Sequence, residues 1–177
     1  MSIDEVDFRS TPLLTLCTSA TNAVSELLSF REFGLFDNAT ALEYSEYFNG
    51  AVLVACQAYA AGVVADVNRI RSLLGEPRLN KFELYRQGSL VVNGFTQVEF
   101  INALANFFKH RDEWELKPDS RTMKVLNAFD VFETMNFPLH SGIQKILGES
   151  TDLRGVFRVL EDWRFIQFEG LRGLGNV

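Results

Sequence analysis

The stretch TALEYSEYFNGAVLVACQAYAAGVVADVNRIRSLL, Thr40–Leu74, decides the fold class of this chain. Apolar residues recur along it at spacings of three and four, the period of an α-helix and not the two-residue period of a strand. Thr40 followed by Glu43 predicts a capping box at its start, while Gly75 offers a left-handed cap at its end and Pro77 blocks continuation. At 1.5 Å per residue the helix is about 50 Å long. Its middle is built from Ala51, Ala55, Ala58, Ala61, Gly62 and Ala65, small side chains that let other helices approach closely. That stripe predicts a buried central rod of a bundle. The run Gly50–Ala65 has one strongly polar residue, Gln57. It is shorter than the roughly 20 apolar residues that span a bilayer, and Asp66, Asn68 and Arg69 end it, so no membrane association is expected.

Before the central helix, Leu13, Leu16, Cys17, Ala20, Val24, Leu27 and Leu28 mark a first helix from Thr11, with Pro12 near its start and Gly34 near its stop. After it, Lys81–Arg86 forms a short helix, and the run from Gly88 to Gly94 is a short strand or an ordered loop. Thr96 and Glu99 form a second capping box, opening a helix that reaches about Trp114 before Pro118. Asp119 or Ser120 caps a further helix through about Met135. Phe137-Pro138 breaks the pattern, a piece covers Leu139 to Leu147, and Asp152 caps a last helix toward Gly170. No repeat or long linker interrupts this order. The reading is an all-α, single up-and-down bundle of five or six helices with a long central helix, one domain over 1–177, with fraying expected at 1–10 and 171–177.

Composition agrees. Sixteen Phe against two Trp and four Tyr fill a core with rings that need no hydrogen-bond partner. Cys17 and Cys56, each among small or apolar neighbours, support neither a disulfide framework nor a thiolate metal site, and no cofactor motif occurs. His140 has no Cys or acidic partner at metal-ligand spacing. Met1 to Arg9 carries Asp4, Glu5 and Asp7 and no apolar run, which implies a cytoplasmic protein. A net charge of -6 opposes a broad, sequence-independent grip on DNA or RNA, leaving only a local basic site open. Part of the last helix, where Trp163, Phe165, Ile166 and Phe168 crowd more than one side, suits a dimer contact.

The segment with functional content is Ala105–Trp114. At 100° per residue its helix turns Val98, Phe100, Ile101, Leu104, Ala105, Phe107 and Phe108 to an apolar arc and gathers Glu99, Asn102, Asn106, Lys109, His110 and Glu113 on a narrow opposite ridge. Asparagines one turn apart weaken a helix and so ask for a reason. One reason is structural: the asparagines and His110 hydrogen-bond across a helix interface. The other is functional. His110, one of two histidines, is of the residue type suited to a general base or acid, and Lys109 and Arg111 beside it form the densest positive cluster of the chain, suited to a phosphate. Charged Lys109 and Glu113 on the ridge predict that it meets water or another subunit.

The words Ala105-Asn106-Phe107-Phe108-Lys109-His110-Arg111-Asp112-Glu113-Trp114 resemble the signature helix of the HEPN superfamily, compact α-helical bundles of prokaryotic toxin-antitoxin and phage-defence systems, many of them ribonucleases. Asn106 matches the family's polar position and His110 its histidine, while Ala105 stands where the family has arginine. The resemblance implies metal-independent RNA cleavage or RNA binding, with His110 and Asn106 catalytic and Lys109, Arg111 and Asn102 holding phosphate. Lys109, Arg111 or Arg86 would replace the missing arginine. It also implies a homodimer whose two His110 side chains approach each other, and a cognate antitoxin or other protein as partner. The alternative is a non-catalytic α-helical interaction module.

Overall fold

A computed structural model describes residues 7–88, 91–112, 117–132 and 135–174. These form seven helices and one two-stranded hairpin: α1 (Ser10–Glu32), α2 (Asn38–Leu73), α3 (Lys81–Tyr85), β1 (Val91–Val92), β2 (Phe95–Thr96), α4 (Gln97–His110), α5 (Arg121–Ala128), α6 (Pro138–Leu147) and α7 (Arg154–Leu174). Of the described residues 73% are helical, about twice the average for globular proteins.

The 36 residues of α2 form the axis of the bundle, against which α1, α4, α6 and α7 pack. Its end follows from sequence. Gly75 is left-handed (φ +77°), its N–H donates to the Ser72 carbonyl at 3.3 Å, and Glu76 N–H donates to Arg71 at 2.9 Å, a Schellman closure that satisfies two orphan carbonyls. The start differs from expectation. Asp37 is the N-cap and its carboxylate accepts the Thr40 N–H at 2.7 Å, so α2 opens at Asn38 and the Thr40–Glu43 box is not the cap. An ionised Asp is the stronger acceptor for a helix N-terminus, and the bond holds its carboxyl below the usual range.

The small stripe of α2 also lies elsewhere than expected. Val52, Leu53, Cys56, Tyr59, Ala60, Val63 and Val67 face the core, whereas Ala51, Ala58, Ala61 and Ala65 are exposed and Ala55 and Gly62 half-buried. The close helix approaches use two glycines. A Cβ on Gly50 would come within 2.5 Å of three atoms of the Phe108 ring of α4, and one on Gly142 of α6 would collide with Leu104. By length and composition alone α2 is long enough and apolar enough to cross a bilayer, with 44% of its apolar window buried inside the protein.

Two further elements depart from the sequence reading. Asn93 (φ 48°) and Gly94 (φ 85°) make the tight turn of a hairpin pairing Val91 with Thr96 and Val92 with Phe95, where a single strand or a loop was expected. Helix α5, capped by the Ser120 hydroxyl, ends at Ala128 and not near Met135, because Asp130 takes a left-handed conformation (φ 54°) and turns the chain. At the C-terminal end α7 continues to Leu174, with Leu171 2% exposed against the core.

Candidate functional site

Helix α4 carries the site residues. The Thr96–Glu99 box forms as expected: Thr96 Oγ1 accepts the Glu99 N–H at 3.2 Å and Glu99 Oε2 accepts the Thr96 N–H at 3.1 Å. Beyond the box the ridge is not a solvated face. Glu99 is 1% and Asn102 7% exposed, Asn106 and His110 are half-buried, and Lys109 alone of the ridge's described side chains is exposed. Glu113 and Trp114 lie outside the described residues. Glu99 is buried because two guanidiniums meet its other oxygen: Arg121 of α5 donates to Oε1, and Arg86 stands 3.5 Å from the same atom. Arg121 also stacks over the Phe82 ring, 4.1 Å from its centre.

The asparagine ridge has its partner in Gln57, the lone polar residue of the apolar run on α2. Gln57 Nε2 donates to Asn102 Oδ1 and to Asn106 Oδ1, each at 2.9 Å. Its Oε1 accepts from Lys109 Nζ at 2.7 Å. One amide thus engages three of the expected site residues. The need of a half-buried primary amide for several partners explains both the asparagine spacing and the polar position inside α2.

Arg111 points elsewhere. Its guanidinium lies over the rings of Phe108 and Tyr47, 5.1 and 5.5 Å from their centres, and 3.8 Å from the buried carboxylate of Glu46. Glu46 accepts the N–H groups of Leu139 at 3.1 Å and His140 at 2.5 Å, so a side chain of α2 caps α6, whose own cap position, Phe137, has no side chain that accepts. Burial raises the Glu46 carboxyl; the two N–H groups and Arg111 oppose that rise. Burial lowers the His140 imidazole. Arg86 stands at the N-terminal end of α4. Residues 99 and 110 lie about 16 Å apart along the helix, so the fold does not bring Arg86 to His110. Ala105 is 0% exposed in the core, so no charged side chain stands at that point of α4.

The structure therefore brings Asn102, Asn106 and Lys109 together around Gln57, leaves His110 at the C-terminal end of α4, and ties Arg111 to Glu46. Gln57 and Glu46 were not singled out as functional from sequence. An isolated glutamine within an apolar run signals a partner requirement, but nothing local marks Glu46. A cleft of about 50 Å³ between α4 and α5 is lined by Phe82, Glu99, Asn102, Asn106 and Arg121, and one of about 30 Å³ lies beside His140 and Asn49. Each accommodates water and falls well below the roughly 300 Å³ of a small-molecule site. Among the described residues no group of three or more His, Cys, Asp and Glu is placed to hold a metal ion. Comparison with protein-family models, with curated proteins and with solved structures finds no match to this chain.

Proposed function

We propose that this protein is a non-catalytic helical interaction module that binds a partner through the outer face of α2. The observation that carries this reading is the composition of that face. Tyr44, Tyr47, Phe48, Ala51, Ala58, Ala61 and Ala65 are exposed along one side of the longest helix, with no charged residue among them, in a chain whose surface is otherwise well supplied with charge. A contiguous apolar face of this length is the mark of a binding surface.

The polar geometry of α4 supports the same reading from the other side. Asn102, Asn106 and Lys109 are engaged by Gln57 and Arg111 by Glu46, and the arginine position is occupied by a core alanine. A second reading, metal-independent RNA cleavage by a HEPN-like site of a toxin or defence system, is favoured by Asn106 and His110 lying one turn apart with the exposed Lys109 between them. The two readings separate in one assay. Purified protein incubated with a mixed-sequence single-stranded RNA is expected to leave it intact, for wild type and His110→Ala alike. Cleavage by the wild type that His110→Ala abolishes, with its melting temperature preserved, would replace the first reading with the second.

A further inference from the structure

The donor and acceptor roles along α4 are fixed from one end. A lysine ammonium donates and cannot accept, so the 2.7 Å bond from Lys109 Nζ takes the oxygen of the Gln57 amide and leaves its nitrogen to face the asparagines. That nitrogen donates to Asn102 Oδ1 and to Asn106 Oδ1, each at 2.9 Å. With both oxygens taken, each asparagine keeps an Nδ2 group with N–H donors to spare. Neither Nδ2 meets an acceptor among the described residues.

Both asparagines line the cleft of about 50 Å³ between α4 and α5, and Gln57 does not. What each offers the cleft is therefore a donor. Asn102 is 7% exposed, so open water does not relieve its spare N–H groups. Arg121 lines the cleft from α5. Its Nη2 donates to Glu99, while its buried Nε–H bonds to nothing, and buried donors are rarely left without an acceptor. Glu99 is the one carboxylate of the wall and is engaged at both oxygens, by the Thr96 N–H on Oε2 and by Arg121 and Arg86 on Oε1. The cleft has donors to give and its carboxylate in use.

We infer that this cleft binds a carboxylate, held by the Nδ2 groups of Asn102 and Asn106 beside the Arg121 guanidinium. Charge selects a monoanion, because Arg86 and Arg121 set against Glu99 leave one positive charge. Water fits less well, since it brings two protons of its own to a wall whose carboxylate is already engaged. Size admits the head of a carboxylate and excludes a nucleotide, which needs several times this volume. Phe82, Ala103 and Val125 complete the wall with apolar surface that suits the methylene stem behind a carboxylate, and a low local dielectric strengthens the bonds to its oxygens. The shared chemistry has two sources, a free small carboxylate or an acidic side chain of a partner. No α2 residue lines the cleft, so the site is separate from the outer face of α2 and its failure leaves that reading untouched.

The test is ¹⁵N NMR of the full chain, following the side-chain NH₂ signals of Asn102 and Asn106 as sodium acetate replaces sodium methanesulfonate at constant ionic strength. Saturable shifts are expected, with a dissociation constant on the order of 1 mM for so small a ligand. A blocked Gly-Glu-Gly peptide that shifts the same signals identifies an acidic side chain as the source, and a response to acetate alone identifies a free small carboxylate. Two variants then remove the Asn106 donors, with the Asn102 signals as the readout. Asn106→Asp keeps an oxygen for Gln57, and because Asn106 is half-buried its melting temperature is expected to stay close to wild type. Asn106→Leu removes the donors without adding a charge. Each is expected to weaken acetate binding at least tenfold. Three results would overturn the inference: no saturable shift with acetate, acetate binding by Asn106→Leu as tight as that of wild type, or saturation by sodium phosphate at a lower concentration than by acetate, which would make this a phosphate site.

Discussion

Replacing Gln57 by alanine removes the amide that ties α2 to α4. Two hydrogen bonds at 2.9 Å and one at 2.7 Å disappear together. Their loss is unequal. Asn102 is 7% exposed, so its Oδ1 becomes an unmet buried acceptor, which costs about 1–3 kcal/mol. Asn106 is half-buried and Lys109 exposed. Both regain water, and each lost bond contributes about 0.5 kcal/mol, the low end of the usual range. The sum is about 3 kcal/mol, a fall in melting temperature of about 6–12 °C for a chain of this size. Gln57→Glu should lose less than half as much, because both asparagines can turn their amides to donate to the carboxylate and Lys109 gains an opposite charge. The assay is urea denaturation of wild type, Gln57→Ala, Asn102→Ala and the double variant. A coupling energy of about 1 kcal/mol or more is expected between the two sites. A loss below about 0.5 kcal/mol for Gln57→Ala, or strict additivity with Asn102→Ala, would refute the view that the asparagine ridge is an interhelical clamp.

Gly50→Ala drives a methyl group into the Phe108 ring, and overpacking of about 1–3 kcal/mol outweighs the gain of up to about 1 kcal/mol in helix propensity. The melting temperature should fall by several degrees, and Phe108→Leu should relieve most of that fall. Stability should also decline on acidification below about pH 6.5. Burial lowers the His140 pKa from 6.5, so its contribution is full above the unfolded value and is lost as pH falls through that value toward the folded one. Glu46 acts in the opposite sense: its raised carboxyl pKa favours the folded state below 4.5, and that contribution disappears as pH rises through the folded value. Urea midpoints measured from about pH 7.5 to about pH 5.5 should therefore fall in wild type and flatten in His140→Asn.

The sequence reveals what local chemistry dictates. Gly75 and Pro77 stop α2, Thr96 and Glu99 open α4, and Cys17 and Cys56 pack in the core, all as their types and spacings imply, whereas Pro138, expected only to break the pattern, is the first residue of α6. Features set by a distant partner are less legible. On α2 apolar residues occupy the whole circumference, so periodicity gives a helix but no direction, and the alanines assigned to the core face outward. Glu99 and Asn102 look like ridge residues until Arg121 and Gln57, from other helices, explain their burial. The early stop of α5 depends on Asp130 adopting a left-handed turn that its residue type permits but does not require. At the candidate site, the Asn106–His110 spacing is visible in sequence, but the engagement of Asn106, Lys109 and Arg111 is a property of the tertiary fold.

The central claim, that this protein is a non-catalytic interaction module, is tested most directly by incubating the purified chain with a mixed-sequence single-stranded RNA. The RNA is expected to stay intact with wild type and His110→Ala alike, because Asn102, Asn106 and Lys109 are engaged by Gln57 and Arg111 by Glu46. Cleavage by the wild type that His110→Ala abolishes, with its melting temperature preserved, would contradict the account.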